Sequence, residues 1–249
     1  MKQKMSLALL APFAALAACS QPSAEAPRAA NATDETTDLG ATDDNPVVVE
    51  LFQSQGCSSC PPANANVNEI ATEPGILALS FAVTYWDRLG WKDTFGDQAY
   101  TDRQWDYARG GGRTKVATPQ VIVNGGEPII GNKIDQLRKV IADRGPLASG
   151  PDIEVTGNAV EVAAGETETD ATLWLVRYDP QSVEVPIGWG ENGGRMLPHR
   201  NIVHELVDLA TWSGDTVRAV LPAATRDGLS TAVILQQGKG GPIIAARKV

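Results

Sequence analysis

Between residues 46 and 145, short β-branched runs alternate with stretches whose apolar residues recur at helical spacing. That alternation confines the segment to an α/β architecture. Val47 to Phe52 reads as a buried strand. A helix is predicted from Cys57 onward, with Ala63, Val67, Ile70 and Ala71 on one face and Pro74-Gly75 as its stop. Ile76 to Val83 is a second buried strand. An aromatic stretch follows (Tyr85, Trp86, Trp91, Phe95), then a helix from Asp97 to Ala108 that runs into Gly110 to Gly112. Gln120 to Val123 is a third strand, Asn124-Gly125 signals a hairpin, and Pro128 to Ile130 fits an edge strand, where proline is tolerated. Ile134, Leu137, Val140 and Ile141 mark a last helix. The predicted order is β-α-β-α-β-β-α.

Beyond residue 147 the pattern changes. Ile153 to Val162 contains a hairpin signal, VTGNAV. Later strand-like runs (172–178, 183–187, 201–209, 216–221, 231–235 and 242–246) are separated by Gly, Pro and Asp, and no helical period stands out. Residues 148–249 are therefore expected to be an all-β, sandwich-like domain after an α/β domain over residues 46–147.

The chain opens with Lys2 and Lys4 ahead of an apolar run, Leu7 to Ala18, of signal-peptide length and too short to span a bilayer. The run ends in L-A-A-C, which resembles a bacterial lipobox, and this implies a signal peptide over residues 1–18, lipidation of Cys19, and a lipid-anchored life in the bacterial cell envelope. Residues 19–45 are rich in Ala, Thr, Pro and acid, the composition of a disordered tether. Such a tether has a reach of roughly 25–30 Å. Without Lys2 and Lys4 the formal charge goes from −9 to −11, and no basic stripe is present, which argues against a nucleic-acid partner.

A lipidated Cys19 leaves Cys57 and Cys60, in GCSSCPP, with only each other, as a Cys57–Cys60 disulfide in the oxidised chain. A thiol at a helix N-terminus is acidified by unpaired N–H groups, so Cys57 is the expected nucleophile and Cys60, one turn in, the resolving thiol. Ser58 and Ser59 offer hydroxyl donors to a thiolate, and Gly56 leaves room for a partner chain. Pro61 falls where a helix has no use for an N–H, and Pro62 is expected to bend the start. As a structural staple the pair closes too short a loop to stabilise much. A four-ligand zinc site with His199 and His204 is disfavoured by the spacing, whereas Cu(I) held by both sulfurs plus a third ligand stays open as a binding-module alternative. Haem attachment would need a histidine where Pro61 stands. GWGENG, residues 188–193, spells a dinucleotide fingerprint, but Pro198 stands where its helix should run, so it reads as a loop.

The element order, and a C-x-x-C at the first strand-to-helix junction, resemble the thioredoxin-like superfamily. The stretches ELFQSQGCSSCPP, YWDRLGWKD and TPQVIVNG, and more weakly GENGGR, are similar to the exported bacterial family called domain of unknown function 1223. The resemblance implies that Thr118-Pro119 carries a cis-proline shaping a substrate groove beside the thiols, and that Glu50 is a buried acid assisting Cys60. It also implies that Trp86 and Asp87 lie near the thiols. The histidine and acid common in that family's second strand are replaced here by Ala82 and Thr84. The resulting expectation is a thiol-disulfide oxidoreductase without cofactor or metal that exchanges with protein thiols or a membrane redox partner. The alternative is a thiol-based metal-binding or non-catalytic interaction module.

Overall fold

A computed structural model describes residues 40–147 and 149–249. The expected signal peptide, the Cys19 lipidation site and the tether up to residue 39 lie outside these residues. The first strand, β1 (Val47–Gln53), is buried along its whole length, as a strand covered on both faces must be. Its odd residues Val47, Val49 and Leu51 pack with Ala63, Val67 and Ile70 of α1 (Pro61–Ile70), and its even residues Val48 and Phe52 face the other way. Next come β2 (Ile76–Ala82), a short 3-10 turn at Asp87–Leu89, and α2 (Gln98–Gly110). Asp97 caps α2 by accepting the Ala99 N–H, the usual role of an aspartate just ahead of a helix. The unit closes with β3 (Gln120–Val123) and α3 (Ile134–Arg144), whose Leu137 and Ile141 join the α1 face. Tyr100 and Tyr107 of α2 cover Phe52 and Phe81 on the opposite face.

Three local expectations are corrected. The first helix begins at Pro61 with Cys60 as its cap, so Cys57 precedes the helix by a turn. Pro61 and Pro62 occupy its first two positions, where no N–H is needed, and no bend is required of them. Pro128 to Ile130 is not a strand. Asn124 and Gly125 both take positive φ and the Gly126 N–H bonds back to the Val123 carbonyl, but beyond this turn only one bridge forms, between Val121 and Ile129.

The remaining strands are β4 (Ile153–Thr156), β5 (Ala159–Val162), β6 (Ala171–Asp179), β7 (Val183–Pro186), β8 (Met196–His199), β9 (Ile202–Trp212), β10 (Val217–Val220), β11 (Ser230–Gln237) and β12 (Ile243–Lys248). The strands after residue 147 do not stand apart as the sandwich-like domain expected there. Four of them extend the first sheet, in the order β12-β11-β6-β9-β2-β1-β3, through a parallel contact of Ser80 with Ile202. The physical reason is the free edge of β2, whose polar backbone needs a partner; β9 supplies one, and the Asn201 side chain adds a bond to the Ala78 carbonyl. A three-stranded sheet, β10-β5-β4, packs Ile153, Val160 and Val162 against Leu173, Leu175, Val233 and Leu235. The hairpin β7-β8 forms a sheet of its own, and β8 arises where sequence suggested only loop.

The end of the expected tether is also structured. Asp43 pairs with Lys248 at 2.6 Å and Asp44 with Arg247 at 2.8 Å, so residues 42–45 are held against the last strand. Composition alone treats these acids as solvated; their partners lie more than 200 residues away.

Candidate thiol site

The chain leaves β1 through Ser54-Gln55-Gly56 and turns tightly, with the Cys57 N–H on the Ser54 carbonyl (3.0 Å) and the Cys60 N–H on the Cys57 carbonyl (3.2 Å). Both cysteines are buried and both are free thiols, the reduced partner of the disulfide expected from sequence. The Cys57 thiol is lowered to about 6. The Cys60 hydrogen bond is the largest cause; burial opposes it, and the Ser59 hydroxyl, 3.2 Å from the sulfur, adds to it. Cys60 is pushed far above the ordinary thiol range, by burial first and then by its bond and charge interaction with Cys57. One thiol is thus primed to be an anion and the other is held as its proton donor, the asymmetry a nucleophile and a resolving thiol require.

The loop ahead of β3 closes one side. Thr118-Pro119 is cis, and the Thr118 carbonyl accepts from the Cys57 thiol (3.7 Å) and the Ser59 hydroxyl (3.4 Å). The Trp86 indole N–H donates to the Thr118 hydroxyl at 2.8 Å. Gly56 faces Trp86, whose Cβ would lie 3.5 Å from an added Cβ there. Beyond Pro119 a groove of about 530 Å³ is lined by Lys115, Val116, Ala117, Ile129 and Ile130.

Gln55 ties the aromatic stretch to the thiol turn. Its side-chain carbonyl accepts from the Trp91 indole (2.9 Å) and the Thr94 N–H (3.2 Å), and its own N–H donates to Asp93 at 2.7 Å. Burial raises the Asp93 carboxyl to about 6, against the lowering effect of the Gln55 and Phe95 N–H bonds. Asp87 is one step removed from the thiols, where it accepts the Asp93 N–H at 3.1 Å.

The hydrogen bonds of Glu50 run away from the role beside Cys60 that the resemblance implied. As an even residue of β1 it points to the α2 face, where Arg103 donates to it at 2.7 Å and the Tyr107 hydroxyl also donates. The alternation of side chains along the strand, rather than closeness in sequence, decides its partners. His199 and His204 do not join the cysteines either; both pack edge-on to Phe95 at about 6 Å, and burial lowers both. Among the described residues no group of three His, Cys, Asp or Glu side chains is placed to hold a metal.

Sequence reasoning missed the two residues that close the other side. The loop joining β7 to β8 reaches the thiol turn, where the Glu191 carboxylate accepts from the Ser58 N–H (3.1 Å) and the Ser58 hydroxyl (2.6 Å). The fully buried Asn192 donates its amide to the carbonyls of Gln55 and Cys57, each at 2.9 Å. Arg195 holds the Asn192 side-chain oxygen at 2.6 Å. The available signal was the GENGGR stretch, polar and glycine-rich, which dismissal of the dinucleotide fingerprint left without a role.

Comparison with known proteins places this geometry among relatives. The family described as "Protein of unknown function (DUF1223)" matches residues 48–236. A crystal structure of protein AGR_C_4864 from Agrobacterium tumefaciens is 28% identical, with a TM-score of 0.66, over 84% of this chain and 94% of that one. HBP35 of Porphyromonas gingivalis shares the fold with a TM-score of 0.52 at 13% identity, over 84% of this chain and 76% of that one. No curated protein matches the chain.

Proposed function

Since the chain belongs to the family described as Protein of unknown function (DUF1223), a membership that fixes no reaction, we propose from the site itself that it is a thiol-disulfide oxidoreductase. The observation that carries this reading is the pair of buried free thiols on one turn beside the cis Thr118-Pro119 bond, with the Cys57 sulfur in reach of the Ser59 hydroxyl and the Thr118 carbonyl; the lowering of Cys57 to about 6 accords with that geometry. A thioredoxin-like reading of the fold is supported by the element order β1-α1-β2-α2-β3-α3, with the thiol turn after β1 and Thr118-Pro119 ahead of β3. The lipobox-like L-A-A-C supports a place in the bacterial cell envelope, anchored through Cys19, with protein thiols or a membrane redox protein as partner. No helix among the described residues is long and apolar enough to cross a membrane.

The steps follow from the sulfur chemistry. The Cys57 thiolate attacks one sulfur of a substrate disulfide; the new Cys57–substrate S–S bond forms as the old one breaks and a substrate thiolate leaves. Attack also neutralises Cys57. Two of the causes that hold Cys60 protonated, its hydrogen bond to Cys57 and the charge interaction with it, disappear with that negative charge. Cys60 can then give its proton to the released substrate thiolate or to water and attack the Cys57 sulfur. The Cys57–Cys60 disulfide forms, the second substrate thiolate departs, and two electrons have passed from the pair to the substrate; the reverse sequence oxidises a dithiol. Sulfur carries both electrons, so the scheme uses no cofactor.

The test is the pH dependence of Cys57 alkylation in a Cys60→Ala variant alongside the native reduced protein. The native protein should titrate with a midpoint near 6, moved upward in the variant because the Cys60 donor is gone. A native midpoint at the ordinary thiol value near 9 would contradict the reading.

A further inference from the structure

The hairpin that carries Glu191 and Asn192 is built as a separate piece. It makes no ladder with the seven-stranded sheet and has a small apolar core of its own, Val185, Ile187 and Leu197, with Trp91 and Phe95 packed against it. Its base rests on α1 through the Asn68 amide on the Pro198 carbonyl at 3.1 Å. Its tip is braced internally by the Gly193 N–H on the Gly190 carbonyl and the Gly194 N–H on the Ile187 carbonyl. Gly190 and Gly194 both sit at φ +80°, a conformation that suits glycine, at the two bends of the tip.

The tip holds the backbone of Cys57, whose side chain has no exposed surface, while Ser58 and Ser59 on the same turn are open to solvent. A sulfur in that position cannot be reached in line by any disulfide until something moves. The contacts that close it are those an extended peptide backbone would make. A glutamate oxygen takes the Ser58 N–H as a peptide carbonyl would, and an amide N–H takes the Gln55 and Cys57 carbonyls as a peptide N–H would.

We propose that the β7-β8 hairpin is a flap that occupies the backbone-binding groups of the thiol turn, and that an extended polypeptide carrying a disulfide opens it by taking over those three hydrogen bonds. This deepens the oxidoreductase reading and rests on it for the identity of the substrate. Glu191 and Asn192 are positioning residues: they touch the turn and leave the sulfur chemistry to the cysteines. The consequence is selectivity. A small disulfide with no peptide groups can displace nothing and must wait for spontaneous opening, whereas a peptide replaces what it removes.

The test uses the full chain with Cys60→Ser, so that attack stops at the mixed disulfide, at a pH above the Cys57 alkylation midpoint measured in that variant. Rates are measured with bis(2-hydroxyethyl) disulfide and with a disulfide-bearing peptide, before and after Glu191→Ala, and with iodoacetamide as a probe of access alone. Glu191 is exposed, so its removal leaves folding intact, and thermal unfolding verifies this. The expected result is a peptide preference in the parent, and in the Glu191→Ala protein a gain of about tenfold for iodoacetamide and for both disulfides at subsaturating concentration, because every reagent needs the same contact broken. Equal rates for the two disulfides in the parent, or an iodoacetamide rate unmoved by the substitution, overturn the flap. If iodoacetamide accelerates as stated but neither disulfide reacts, the flap stands as a cover and the oxidoreductase reading falls.

Discussion

The side-chain amide of Asn192 lies 2.9 Å from the carbonyl oxygen of Cys57, 135 residues earlier in the chain. Because the same amide also serves Gln55 and its oxygen is held by Arg195, this one fully buried side chain joins the two halves of the sequence at the thiol turn. Asn192→Ala leaves the two carbonyls and the Arg195 donor without this partner. The expected loss of stability is about 1–3 kcal/mol. Denaturant unfolding of the reduced protein measures it, and Asn192→Asp, which offers acceptors where donors are needed, should do no better.

Ser59→Ala removes the hydroxyl that lies 3.2 Å from the Cys57 sulfur. The thiolate loses a donor while the thiol loses little, so the Cys57 value should rise from about 6 by on the order of one unit. The same change stabilises the disulfide relative to the dithiol and makes the pair a better reductant. The midpoint of the alkylation profile reads the first effect, and an equilibrium potential reads the second.

The lowered Cys57 thiol links folding to pH in the reduced protein. Its folded value, about 6, lies below the ordinary 9, so between these limits the unfolded chain binds more protons and stability rises with pH. The contribution is complete above 9 and is lost as pH falls through 6. Reduced protein compared with Cys57→Ser across this window should show a stability difference that grows with pH. Chemical denaturation at several pH values, analysed as the difference between the two proteins, isolates the Cys57 part from the other titrating groups.

Glu50→Gln separates structure from chemistry. The substitution strands the buried Arg103, whose guanidinium also bonds Gln236 and stacks on Phe81, Tyr107 and Trp174. Breaking one side of such a pair costs about 3–5 kcal/mol. The pH midpoint of Cys57 alkylation should not move, because Glu50 faces α2. A shift of that midpoint would return to Glu50 the role that the family resemblance implied.

How much of this was readable from the chain follows from the range of each signal. The strands β1 and β2 and the helices α2 and α3 announce themselves through local period and caps, whereas only the family resemblance put Thr118 and Trp86 beside Cys57, and hydrogen bonds join the three. The partners of Glu50 were not legible because they depend on which face of the sheet a residue occupies, and α2 supplies Arg103 from 53 residues away. The join of β9 to β2 rests on a parallel contact more than 120 residues apart, which no turn chemistry encodes. Glu191 and Asn192 lie in a glycine-rich loop whose composition specifies only that it bends; that it bends onto the cysteines is a property of the tertiary fold.

The central claim, that Cys57 and Cys60 form an exchanging redox pair, is tested most directly by equilibrating the protein in glutathione buffers of graded potential, then alkylating and weighing it. The account predicts reversible interconversion of dithiol and Cys57–Cys60 disulfide with a midpoint between about −120 and −270 mV, the span of known exchange enzymes. A disulfide that glutathione never reduces, or a pair of thiols that it never oxidises, would contradict it.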